Sequence, residues 1–209
     1  MSRMVKNSIF RKLEGKIKSL GKGTILFPSD FIDIGSVDVI KQSLSRMNKE
    51  GLIIRLGQGV YLYPKKDEVL GVLYPSMESI AEAIAKRDQV QIIPSGDYAM
   101  NKLGLSPQIP MRIVYLTDGA PREIKVGSRI ITFKRTTPKK LKIKGSVVQL
   151  VVQALKEIRK DNITSEMKKI IFKALSEESL KTIKEDAKLI PAWMSEILNE
   201  YLKKNEGLV

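Results

Sequence analysis

A four-residue repeat of apolar side chains predicts an amphipathic helix over residues 4–19. The repeat consists of Val5, Ile9, Leu13 and Ile17. Gly21 and Gly23 follow it and predict the end of the helix, because glycine adopts the backbone conformation with which helices often stop.

Two more helices are predicted before Gly51. The sequence PSD at residues 28–30 supplies a proline and two capping residues, which predicts a short helix. Ser36 is predicted to cap a third helix, and Gly51 is predicted to end it. The apolar stripe of this third helix is predicted to consist of Val37, Ile40, Leu44 and Met47.

The segment GLIIRLGQGVYLYP, residues 51–64, predicts a β hairpin because two apolar runs flank the short link GQG. A single charged residue, Arg55, lies near its tip, and Gly57 and Gly59 would let another molecule approach the backbone closely. Helix, short helix, helix and hairpin in this order predict a winged helix-turn-helix domain over residues 1–66. In such a domain the third helix enters the major groove of DNA and the hairpin is the wing.

Residues 67–209 are predicted to form a second domain, after the polar stretch KKDEVLG, which is interpreted as a linker. A helix near residues 76–88, a short strand, a PSG break and another helix ending at Gly104 come first. Three apolar segments then predict an antiparallel sheet, and residues from about 146 to 209 predict helices in three or four pieces. The predicted fold class is therefore α+β: an N-terminal winged helix-turn-helix domain followed by a mixed α/β domain with a helical C-terminal part.

The composition excludes several kinds of chemistry. The chain has no cysteine and no histidine, which excludes disulfides, thiolate nucleophiles, zinc fingers and imidazole-based catalysis. An enzyme would have to use carboxylates, Lys, Tyr or Ser, and the sequence has no clustered carboxylates that suggest such a site. We therefore predict no catalytic residue, metal ligand or cofactor, and a protein that is not an enzyme, with an enzyme acting on nucleic acid as the alternative. No apolar run reaches the roughly 20 residues of a membrane helix, and the start of the sequence lacks a secretory signal. A cytoplasmic protein without a membrane partner is the prediction.

The formal net charge of +14 points to a polyanionic partner. Residues 1–66 carry 13 basic and 5 acidic side chains, a net charge of +8, whereas residues 146–209 carry 11 and 10, a net charge of +1. The most basic region therefore coincides with the predicted winged helix, and double-stranded DNA is the predicted partner. The candidate DNA-contacting residues are Ser36, Lys41, Gln42, Ser45, Arg46, Lys49, Arg55 and Gln58.

Two of the basic features leave alternatives open. Arg55 either faces DNA or pairs with Asp38 or Glu50 and only braces the hairpin. The segment 133–144, with six basic residues in twelve, either contacts nucleic acid or is a solvated strand end and loop.

Polar residues elsewhere are predicted to have mainly structural roles. Ser95 of the PSG break is predicted to cap a helix, with anion binding at the helix N-terminus as the alternative. The acidic pairs 177–178 and 185–186 are predicted to be surface charges of amphipathic helices. Trp193 is predicted to anchor the last helix in the core.

Two blocks of the sequence carry a more specific pattern. In the first, a helix end is followed by G-x-I-x-R and G-x-G-V-Y and runs into a proline. The residues concerned are Leu44, Met47, Gly51, Ile53, Arg55, Gly57, Gly59, Val60, Tyr61 and Pro64. The second block is PSGDYAMNKLGLSPQIPMRIVYLTDG. In order and spacing, over roughly residues 24–145, the blocks resemble AbiEi-type antitoxins and their close relatives.

The resemblance implies a two-part protein of a toxin–antitoxin or phage-defence module. Its winged helix would bind the operator of its own operon and repress it. Its C-terminal domain would counteract a nucleotidyltransferase-like toxin, in the type IV manner that needs no stable toxin–antitoxin complex. The alternative function is a stand-alone winged-helix transcriptional regulator whose second domain senses a ligand or oligomerises.

Overall fold

The computed structural model describes residues 3–137 and 141–205, in which helices and β-sheets are mixed, as predicted for an α+β protein. The chain divides into two compact units. The first consists of Met1–Ile84 and Ile124–Ser128, and the second of Ala85–Glu123 and Arg129–Val209. The predicted domain boundary near residue 66 stays a prediction.

The first unit begins with the predicted order of elements. Its elements are α1 (Arg3–Ser19), β1 (Ile25–Leu26), a 3-10 helix (Pro28–Phe31), α2 (Val37–Lys49), β2 (Ile54–Gly57), β3 (Val60–Leu62), β4 (Lys65–Asp67), β5 (Gly71–Leu73) and most of α3 (Met77–Asp88). The predicted first helix, third helix and hairpin are confirmed, and the predicted short helix is a single 3-10 segment. Asp30 helps to begin that segment, since its carboxylate accepts a hydrogen bond from the backbone N–H of Phe27 at 2.8 Å.

The core of this unit lies between the helices and the hairpin. One cluster of buried residues consists of Leu13, Ile17, Leu26, Phe31, Ile40, Leu44, Met47, Ile53 and Tyr61. Strand β3 pairs antiparallel with both β2 and β1, so the hairpin is part of a three-stranded sheet. The polar stretch interpreted as a linker instead forms the antiparallel β4–β5 hairpin.

The second unit combines a sheet with a helical C-terminal part. Its further elements are β6 (Ile92–Ser95), α4 (Asp97–Lys102), β7 (Arg112–Thr117), β8 (Arg122–Val126, shared with the first unit), β9 (Arg129–Arg135), α5 (Ser146–Ile158), α6 (Ser165–Leu175), α7 (Leu180–Asp186) and α8 (Ala192–Asn205). The prediction of a helical C-terminal part in several pieces is confirmed. Thr164 and Ser179 begin α6 and α7 as true N-caps, because their hydroxyl oxygens accept backbone N–H bonds from Met167 and Thr182.

The sheet prediction was wrong in one respect. Strands β6 and β7 are antiparallel, but β7 and β9 are parallel neighbours in the order β6-β7-β9-β8. The reason is that the chain reaches β8 at the edge of the sheet before it returns to place β9 beside β7. The sheet is therefore mixed rather than antiparallel.

Candidate nucleic-acid interface

Helix α2 has one buried face and one exposed face. Val39, Ile40, Ser43, Leu44 and Met47 are buried. On the exposed face, four side chains follow one another at four-residue steps and so lie in a line along the helix surface. This line, the α2 row, consists of Val37, Lys41, Ser45 and Lys49, all of which are exposed. Gln42 is exposed beside the row.

Val37 is the exception to the predicted apolar stripe. It was predicted to face the core, but its side chain is 44% exposed. Val39 and Ser43 are buried instead, and the Ser43 hydroxyl donates a hydrogen bond to the carbonyl oxygen of Val39 at 2.8 Å. The buried arc of α2 is therefore turned slightly from the predicted one, and Val37 lies at its edge.

The two ends of α2 are fixed by the backbone. Ser36 stands at the N-cap, where its carbonyl oxygen accepts from the N–H of Ile40 at 3.0 Å. The predicted position of the cap is therefore confirmed, although among the described residues the Ser36 hydroxyl accepts no capping hydrogen bond, and the residue is exposed. At the other end Gly51 has φ +74°, and the N–H groups of Gly51 and Leu52 donate to the carbonyl oxygens of Asn48 and Met47. This is a Schellman motif, and it accounts for the predicted stop at Gly51.

Arg46 has partners inside the first unit. Its Nε donates to the Glu50 carboxylate at 2.8 Å, one helical turn away. Its guanidinium also lies 4.5 Å from the centre of the Phe10 ring, a cation–π contact with α1. Arg46 therefore sits on the flank of α2 that faces α1, although its side chain remains exposed.

Asn48 joins α2 to the hairpin. Its side-chain oxygen accepts the backbone N–H of Arg55 at 2.8 Å. The Arg55 side chain is exposed, and its Nε donates to the carbonyl oxygen of Gly57 at 3.3 Å. Glu50 is paired with Arg46, and within the described part of the chain neither Glu50 nor Asp38 forms an ion pair with Arg55. The guanidinium of Arg55 is therefore held beside the hairpin tip.

The tip itself is a two-residue turn. Gly57 pairs with Val60 across the strands, which leaves the exposed Gln58 and the half-buried Gly59 between them. Gly59 has φ +68°, a conformation that favours glycine. At Gly57, a Cβ would lie 2.7 Å from the carbonyl oxygen of Lys125, which belongs to the same compact unit. The close approach that requires this glycine is thus within the protein.

The lysines of the α2 row differ from Lys16 and Lys18 of α1, which have acidic partners. Lys16 binds the Asp33 carboxylate at 2.8 Å, which lowers the pKa of Asp33, and Lys18 binds Glu14 at 2.6 Å. Lys41 and Lys49 form no hydrogen bond or ion pair with any other described residue. Their ammonium groups can therefore bind phosphate oxygens without breaking an internal contact, and Gln42 can bind a base edge.

Two candidates lie in the second unit, and one of them, Ser95, is placed differently from expectation. Ser95 is neither a cap nor at a helix N-terminus, because it lies in β6 opposite Val114 and α4 begins after Gly96. Of the basic segment 133–144, residues 138–140 lie outside the described residues. Lys144 is paired with Glu185 at 3.4 Å.

The prediction that the acidic pairs are surface charges was wrong for one residue. Asp186 is 1% exposed, and its two carboxylate oxygens accept the backbone N–H groups of Lys144 and Gly145 at 3.0 and 2.8 Å. Glu178, half-buried, accepts the N–H of Val147 at 3.3 Å. Both carboxylates therefore satisfy backbone donors at the start of α5. The prediction for Trp193 is confirmed, since it packs against the core of the second unit.

Two absences concern the described residues alone. Within residues 3–137 and 141–205, no group of three or more acidic, cysteine or histidine side chains could hold a metal ion. Over the same ranges, no helix is both long enough and apolar enough to span a bilayer.

Comparison with known proteins places the chain in a family. The model of the "Family of unknown function (DUF6088)" matches residues 12–183, so the protein belongs to that family. The matched range includes the whole α2 row and the hairpin. None of the curated proteins compared with the chain matches it.

Proposed function

We propose that this member of DUF6088 is a non-enzymatic antitoxin and autorepressor that binds operator DNA through its first unit. In this proposal the first unit is a winged helix-turn-helix domain, with α2 as the recognition helix and the β2–β3 hairpin as the wing. The single observation that carries the DNA-binding part is the α2 row, where Lys41 and Lys49 are exposed and have no described partner.

The dimensions of α2 suit this role. The major groove of B-DNA is about 12 Å wide and admits one α-helix whose exposed side chains reach base edges. The α2 row spans about 18 Å at 1.5 Å per residue, so its two ends can meet different parts of the groove. The net charge of +8 on residues 1–66 favours association with the phosphate backbone.

The hairpin would add contacts beside the groove. Arg55 and Gln58 are exposed at its tip, and the bond from Arg55 to Asn48 holds the hairpin at a fixed position relative to α2. An arginine so placed can bind phosphate or enter the neighbouring minor groove.

The antitoxin part of the proposal rests on the resemblance of residues 24–145 to AbiEi-type antitoxins. It assigns to the second unit the task of opposing a nucleotidyltransferase-like toxin, with or without a stable complex. Because operator and toxin are both intracellular, the proposal places the protein in the cytoplasm.

DNA binding is tested by gel-shift titration with the duplex that lies upstream of the protein's own gene. The wild-type protein is expected to bind this duplex more tightly than a shuffled duplex of equal composition. Lys41→Ala and Arg55→Ala should each weaken binding about tenfold, since each removes a charge-assisted contact. Lys181→Ala, which removes an exposed lysine of α7, is the matched control and should bind as the wild type does. Unchanged affinity of both first-unit variants would contradict the proposed docking.

The antitoxin role is tested by co-expression. If the neighbouring gene encodes a nucleotidyltransferase that arrests growth, expression of this protein should restore growth. A protein that represses its promoter but has no toxic neighbour to counteract would instead be the stand-alone winged-helix regulator, and the antitoxin proposal would fail.

A further inference from the structure

The first turn of α2 carries two side chains that do not suit contact with phosphate. Val37 is apolar and 44% exposed, and Asp38 is acidic and exposed. An acidic residue in a first turn stabilises any helix through the helix dipole, which accounts for Asp38. The helix dipole offers no such gain to Val37, whose branched side chain lowers helix propensity and which lies at the edge of the buried arc with 44% of its surface still exposed.

The position of Val37 in the α2 row suggests what it contacts. Residues at the start of a recognition helix meet base edges, and the backbone is reached elsewhere along the domain. Asp38 would repel phosphates and so keeps this turn away from the backbone. Val37 therefore faces base edges if α2 lies in the major groove.

The major groove offers one apolar feature to such a side chain. Among the groups that base pairs present there, the C5-methyl of thymine is apolar, and small aliphatic side chains recognise it by contact. We propose that Val37 contacts a thymine methyl group of the operator and makes the protein selective for thymine at that position. This inference rests on the proposed DNA binding through α2.

The test first maps the bound part of the upstream duplex by footprinting. Each thymine in that part is then replaced, one at a time, by deoxyuridine, which lacks only the methyl group. At one position the wild-type protein should lose about fourfold in affinity, the effect of exposing one methyl-sized group. Val37→Ala should bind the thymine and uracil duplexes equally at that position. Val37→Thr keeps one γ-methyl group, so its affinity for the uracil duplex should still be lower than for the thymine duplex, by less than in the wild type.

Val69→Ala is the matched control, because it makes the same deletion at a valine that is 91% exposed at the tip of the β4–β5 hairpin. This variant should lose as much affinity as the wild type does when deoxyuridine replaces the contacted thymine. Circular dichroism should show all three variants folded, since none alters a buried residue.

The inference is overturned by two results. One is that the wild-type protein binds every uracil duplex as tightly as the unmodified duplex. The other is that Val37→Ala loses as much affinity as the wild type does when uracil replaces thymine. Either result would leave DNA binding itself standing. Failure of the wild-type protein to bind any duplex would overturn the inference together with the proposed function.

Discussion

Charged side chains serve different purposes on α2 and in the C-terminal helices. On α2, Lys41 and Lys49 are exposed and bind no other described residue. In the C-terminal helices, Asp186 is buried against backbone N–H groups, and Glu200 lies between Lys168 and Lys204 at 2.9 and 3.0 Å. Lys41 and Lys49 thus direct charge outward from α2, whereas Asp186 and Glu200 use charge to hold parts of the C-terminal helices together.

The number of basic side chains in a region does not by itself show whether their charge is available to a partner. Residues 146–209 carry nearly as many basic side chains as residues 1–66, 11 against 13, yet their net charge is +1 rather than +8. The two regions differ in the number of acidic side chains, 5 in residues 1–66 against 10 in residues 146–209, and Asp186 and Glu200 among the latter have internal partners. Variants of paired and unpaired charged residues in the two regions therefore test the comparison.

The largest effect on stability is expected for Asp186→Ala. The change leaves two backbone N–H groups at the start of α5 without their acceptor in a buried place. Loss of hydrogen bonds to a charged group should lower the free energy of unfolding by about 3 kcal/mol, measured by urea denaturation. Glu185→Ala, at the neighbouring acid whose side chain is 45% exposed, is the control and should cost much less. Equal losses in the two variants would show that Asp186 has no special structural role.

The next largest effect is expected on DNA affinity. Lys49→Glu reverses a charge in the α2 row and should weaken binding of the upstream duplex about thirtyfold, through lost attraction and added repulsion. Lys181→Glu makes the same change on α7 and should alter affinity less than twofold, measured by fluorescence anisotropy. If both variants lost affinity equally, general charge rather than the α2 row would govern binding.

A smaller effect is expected for the link between α2 and the hairpin. Asn48→Ala removes the acceptor of the Arg55 N–H and should lower the free energy of unfolding by about 1 kcal/mol. Because the hairpin is then less well fixed, DNA affinity should also fall about threefold. Asn199→Ala, at an exposed asparagine of α8 whose side chain donates to the Ser195 hydroxyl of the same helix, is the control for both measurements. Wild-type affinity in Asn48→Ala would mean that the hairpin does not contribute to binding.

The smallest effect concerns pH and Glu200. Hydrogen bonds from Lys168 and Lys204 lower the pKa of Glu200 below its ordinary value. The stability that this carboxylate adds is therefore present above its unfolded-state pKa of about 4.3 and is lost as pH falls through the folded-state pKa. Since the pair is solvent-exposed, the wild type should lose only a few tenths of a kcal/mol more than Glu200→Gln between about pH 5 and pH 3. Glu196→Gln is the control, and an equal pH dependence in all three proteins would contradict the prediction.

Local sequence signals predicted the first helix, α2 and the β2–β3 hairpin well. The glycine at position 51 predicts the end of α2 because a Schellman motif needs φ above zero there, and Gly59 predicts the hairpin turn for the same reason. All the candidate DNA-contacting residues are exposed, though their role in DNA binding stays a prediction.

The wrong predictions concern features that depend on contacts distant in the sequence, or on small rotations of a helix face. The acceptor role of Asp186 depends on backbone donors 41 and 42 residues away, so no local pattern reveals it. The parallel pairing of β7 with β9 depends on the path of the chain, which alternation within a strand does not encode. Val37 was misplaced because an apolar repeat defines a helix face only to within about one residue, 100° around the helix.

The central claim, that the α2 row contacts DNA, is tested most directly by the salt dependence of binding. The slope of the logarithm of the binding constant against the logarithm of salt concentration counts the phosphates that the protein neutralises. For Lys41→Ala the slope should fall in magnitude by about one relative to the wild type, while for Lys181→Ala it should not change. An unchanged slope in Lys41→Ala, or an equal fall in both variants, would contradict the claim.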